Sequence, residues 1–100
     1  MKVIHEIAQR TLRFIGERRR AYRLAFGSVA GQAVLIDLAS FCRAAEPCWH
    51  EDPRKHALLE GRREVFLRIQ QHLRLSEEQL YALYAGHQFK PLTENDDADD

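Results

Sequence analysis

Cys42, Cys48, His50 and His56 are the residues whose types first suggest chemistry, and that chemistry would be zinc binding. Written as C-x5-C-x-H-x5-H, they offer four good ligands across a short loop. The spacing argues against a site, because structural zinc centres carry C-x2-4-C and H-x3-5-H pairs. Cys42 also falls on the apolar stripe of a helix, where a cysteine behaves as a small hydrophobe. The expectation is therefore no metal and no cofactor. Cys48 and His50 could be offered as nucleophile and base, but one intervening residue rarely lets two side chains meet, and no orienting group follows. Glu60 and Glu64 lie one helical turn apart. A carboxylate pair needs a cleft and an opposing element to do acid–base work, and Glu64 is spaced to pair with Arg68 instead. None of these patterns supports an enzyme.

The arginines are better placed to bind than the other groups are to react. Six of them (Arg10, Arg13, Arg18, Arg19, Arg20 and Arg23) face only Glu17 over that stretch. Arg19, Arg20 and Arg23 share a helical face, and Tyr22 adds a stacking or hydrogen-bonding group. Such a face suits either acidic protein surfaces or the phosphates of a nucleic acid, the second with strong salt dependence. No recognition helix with its turn is present, so base-specific readout of duplex DNA is not expected. Trp49, between Cys48 and His50, either anchors its loop or marks a contact surface. Arg62 and Arg63 form a further exposed pair. The expected partner-binding set is Arg18, Arg19, Arg20, Arg23, Trp49, Arg62 and Arg63.

These residues need helices to position them. Ile4, Ile7, Ala8, Leu12 and Ile15 recur at helical spacing, which predicts a helix over 3–26, in one or two pieces because Gly16 costs about 1 kcal/mol relative to alanine. Gly27 is a natural stop and Ser28 a natural N-cap. In the next segment, 31–44, Val34, Leu35, Leu38, Phe41 and Cys42 form a broad apolar stripe, and Pro47 disfavours helix at Glu46. Asp52 then caps a helix with Pro53 at its first position, where a missing N–H costs nothing. Leu58, Val65, Phe66, Ile69 and Leu73 are its expected inward side, with Gly61 there for the close approach of a neighbour. Ser76-Glu77-Glu78-Gln79 is a capping box opening a short helix that ends near Gly86. The expectation is an all-α bundle of three or four helices, centred on 31–44 and 53–74. Residues 1–90 form one domain, and 91–100 a disordered acidic tail.

Composition agrees with that architecture. One hundred residues, 45% hydrophobic and 30% charged, make a single ordinary globular domain. The zero net charge hides a split, +6 over residues 1–75 and −6 over 76–100. No apolar run approaches the roughly 18 residues of a membrane span, and residues 1–6 lack the apolar core of a secretory signal. No membrane partner is expected.

Three blocks carry a resemblance: Arg19-Arg20-Ala21-Tyr22-Arg23 with Phe26-Gly27; Gly31 through Ala39 with Phe41-Cys42; and Asp52-Pro53-Arg54 through Glu60-Gly61-Arg62-Arg63-Glu64-Val65. Together, over roughly residues 18–75, they resemble a family of small tailed-phage proteins encoded among the virion and DNA-packaging genes, like the small virion-region protein of Bordetella phages. None of the blocks is a catalytic motif. The resemblance implies a short, helical, non-enzymatic accessory protein of the particle or its assembly, in the virion or the host cytoplasm. Its partners would be other phage virion or assembly proteins, with homo-oligomers and non-specific DNA contact also open. Two alternatives stand beside it: a nucleic-acid-associated protein using the Arg18–Arg23 face, and a small inhibitor of a host protein whose acidic tail mimics nucleic acid.

Overall fold

The computed structural model describes residues 2–93, which form four helices and, among those residues, no strand. These are α1 (Lys2–Gly27), α2 (Val29–Phe41), α3 (Pro53–Leu73) and α4 (Glu77–Tyr84). The all-α expectation holds. Gly16 does not interrupt α1, which runs through it as one helix.

The caps act where the sequence places them. Ser28 Oγ accepts from the Gly31 N–H at 3.0 Å and Asp52 Oδ1 from the Arg54 N–H at 3.0 Å. Ser76 and Gln79 satisfy each other's backbone N–H groups at 3.1 and 2.8 Å. Each bond satisfies a donor that the first turn of a helix leaves unpaired.

At the Gly27–Ser28 break the axes of α1 and α2 turn through 91°. Gly31 makes that corner possible: a Cβ there would stand 2.8 Å from Phe26 Cα and even nearer the Ala25 carbonyl oxygen. Gln32, fully buried, holds the corner from inside. Its Nε2 donates to Gly27 O at 2.9 Å, and its Oε1 accepts from the Phe89 N–H at 2.8 Å. The close approach expected at Gly61 is absent, because nothing lies within 4 Å of a Cβ at that position.

The core joins Leu35 and Ala39 of α2 and Cys42 at its C-terminal cap to Phe66, Ile69 and Leu73 of α3 and Leu83 of α4, closed by Ala44 and Leu92. On α3 the inward series starts at Leu59 rather than Leu58, and Val65 faces solvent; Val34 and Phe41 of α2 do likewise. The domain also extends past residue 90. The Leu92 side chain is buried and its N–H donates to Gly27 O at 3.0 Å. The remainder of the expected tail, 94–100, lies outside the described residues. No single helix among those residues is long and apolar enough to cross a membrane.

The N-terminal part of α1 stands apart from this body. Every residue from 2 to 15 is exposed, including Ile4, Ile7, Leu12 and Ile15. Only the second half of α1 packs, against α2 and the C-terminal half of α3.

Candidate functional site

The arginines of α1 divide by direction. Arg23 leaves the expected surface set, because it is 2% exposed and points into the body. Its Nε donates to Thr93 O at 3.0 Å and its Nη1 to Leu73 O. Leu73 ends α3, so a guanidinium there serves a carbonyl that the helix leaves open and complements the negative end of its dipole. Arg20 is exposed and engaged in an interaction of its own. Arg18 and Arg19 are half-buried, with the Arg18 guanidinium 4.2 Å above the Phe14 ring.

Tyr22, one turn further on, meets two residues that sequence reasoning missed. The Tyr22 ring stacks on His72 of α3, with centroids 4.5 Å apart. One turn before His72, Arg68 lines a shallow groove of about 370 Å³ beside Tyr22, Phe26, Val65 and Ile69. Burial pushes the His72 imidazole below the ordinary value of 6.5, and the positive charges of Arg68, Arg18 and Arg19 push it the same way. The two helices thus contribute three positive charges that act on one stacked imidazole. The i, i+4 spacing of Arg68 and His72 was the available signal, but nothing local linked it to α1.

The other expected contact residues lie on α3 and on the loop before it. The Arg62 guanidinium sits 4.4 Å over the exposed Phe41 ring. Arg63 is half-buried, and its Nε is enclosed without a hydrogen-bond partner. Trp49 is 69% exposed. The loop that carries it is fixed by its neighbours. Cys48 is buried beside it, His56 Nδ1 donates to Cys48 O at 3.2 Å, and the Asp52 N–H donates to His50 Nδ1 at 3.0 Å. These bonds hold the two histidines locally. Among the described residues, no group of three or more His, Cys, Asp or Glu side chains comes together. Burial raises the Cys42 thiol above its ordinary value, against the smaller opposing effect of Arg62, and so keeps it out of the reactive thiolate form.

Fold and surface together define a short helical protein that presents rigid aromatic and guanidinium groups while its thiols stay interior. The chain belongs to a phage family, described as Bbp19-like phage protein, which it matches over residues 22–85. No curated protein and no solved structure matches it. The matched span begins inside α1 and runs through α4, farther than the three blocks alone suggest. Arg18, Arg19, Arg20 and the exposed part of α1 fall outside it.

Proposed function

We propose that the protein is a non-enzymatic accessory component of a tailed-phage particle or its assembly, acting through contacts with other phage proteins. Family membership supports the phage setting. The contact role rests on Trp49, a large amphipathic side chain exposed on a loop in which Cys48, His50 and Asp52 are hydrogen-bonded. Exposed Trp and Arg side chains are the residue types enriched at interface hot spots. Arg62 over Phe41 adds a second preorganised group of the same kind.

The test is the fate of the protein during infection. The wild-type chain is expected in purified particles or in assembly intermediates by mass spectrometry. Trp49→Ala combined with Arg62→Ala should lower its incorporation by about tenfold or more, with the thermal midpoint shifted by no more than a few degrees. A chain absent from particles and intermediates alike would sink the proposal.

A second reading, nucleic-acid contact, is favoured by one observation: the positive charges of Arg18 and Arg19 on α1 and of Arg68 on α3 all act on His72. Guanidiniums contact phosphate oxygens without needing a particular base sequence. Gel retardation at about 50 mM salt, where such contacts are strong, decides it. No shift with single- or double-stranded DNA would remove this reading and leave the first intact.

A further inference from the structure

The exposed part of α1 lies outside the family match, and neither role proposed above accounts for it. We propose that this segment joins two copies of the chain as an antiparallel, two-fold symmetric helix pair. Ile4, Ile7, Ala8, Thr11, Leu12 and Ile15 recur at i, i+3, i+4, i+7, i+8 and i+11, one continuous stripe along the helix, and all six are exposed. Lys2, Glu6, Arg13 and Glu17 occupy the opposite side, given 3.6 residues per turn. Fourteen residues of helix are marginal alone, and among the described residues no neighbour covers the apolar side of this stretch.

The order of side-chain sizes selects the occupant. Along the stripe it reads large, large, small, small, large, large, and so it maps onto itself about a point between Gln9 and Arg10. A two-fold axis through that point sets Ile4 on the partner's Ile15, Ile7 on the partner's Leu12 and Ala8 on the partner's Thr11. Each contact occurs twice, as an isologous interface requires. Ala8 and Thr11 at the crossing let the axes approach to about 8 Å, while the larger residues fill the ends. Thr11 suits the crossing because its hydroxyl already donates to Ile7 O at 2.9 Å, leaving its methyl for the contact. A lipid surface is the poorer match, since it rewards apolar bulk and this stripe has least at its middle.

The segment is about 20 Å long at 1.5 Å per residue. Pairing two of them removes roughly 1,000–1,200 Å² from water, the lower end for a specific interface. The expected dimer is thus reversible, with a Kd on the order of 10 µM.

Sedimentation equilibrium of the full chain from about 1 to 500 µM, a range bracketing that Kd, should show the mass rising from the 11.7 kDa of one chain towards twice that. Leu12→Glu should weaken association at least 100-fold, while Leu24→Glu, exposed on the other side of the same helix, should leave it unchanged. Circular dichroism of Leu12→Glu checks that the body remains folded. Orientation is read by mixing single variants Ile4→Cys and Ile15→Cys under mild oxidation. The antiparallel pair forms the mixed disulfide readily, because like positions lie about 16 Å apart along the axis, whereas Cys42 and Cys48 are buried. A chain that stays monomeric throughout, a dimer indifferent to Leu12→Glu, or like-with-like disulfides in preference to mixed ones would each overturn the proposal. So would a monomer whose segment binds phosphatidylglycerol vesicles in a Leu12-dependent way, which would assign the stripe to a membrane surface.

Discussion

At the scale of single residues, identical side chains have opposite fates five positions apart. Arg18 rests on a ring at the surface, while Arg23 is interior and donates to two carbonyls. Arg23→Ala leaves both carbonyls without that donor and opens a cavity, so it should cost about 3 kcal/mol or more. Urea denaturation at unchanged m-value would show it. Arg23→Lys should recover little, because one ammonium cannot span both acceptors as the planar fork does. His72 supplies a pH test. Its folded-state value lies below the ordinary 6.5, so just below 6.5 the unfolded chain takes up a proton that the folded chain resists. The contribution of neutral His72 to stability is therefore full above that value and declines as pH falls through it. Melts at pH 7.5 and 5.5, a range spanning the ordinary histidine value, should differ less in His72→Phe, which keeps a ring against Tyr22 and removes the titration. If phosphates occupy the arginine cluster, adding a single-stranded oligonucleotide should raise the His72 value in an NMR titration.

At the scale of elements, two helical glycines separate local propensity from packing. Gly61 has open space where its Cβ would be, so Gly61→Ala should stabilise the protein by about 0.5–1 kcal/mol through helix propensity. Gly31 meets the backbone of Ala25 and Phe26, so Gly31→Ala should destabilise by roughly 3 kcal/mol or more as the corner opens. Chemical denaturation of the two variants tests opposite signs of one substitution. Sequence reasoning assigned the close approach to Gly61, because position within a helix says nothing about what crosses it. Helix starts were far more legible: the caps at Ser28, Asp52 and Ser76 all bond within three residues. The inward face of α3 was half legible. Leu58 and Leu59 are equally apolar and adjacent, and only the placement of the neighbouring helices buries the second.

At the scale of the whole molecule, the split of charge along the chain does not translate into one basic face. Arg23 is turned inward, so the basic cluster at issue is Arg18 and Arg19 joined by Arg68 of α3, whose charges act together on His72. If it binds nucleic acid, the logarithm of the affinity should fall with the logarithm of salt at a slope of about −2 to −3. Arg18→Ala with Arg19→Ala should flatten that slope by about 2. A slope unchanged in the double variant would place the contacts elsewhere. By itself, the sequence determined the helical class, the capped starts and kinship with a small phage family, since each depends on residues near one another in the chain. Tertiary structure decided which arginine is interior, which glycine is crowded and which half of α1 lacks a neighbour. Arg23 bonds to carbonyls 50 and 70 residues away, and Gln32 to an N–H 57 away. Distances of that order along the chain carry no local pattern, so the direction of those side chains emerges only when the helices meet.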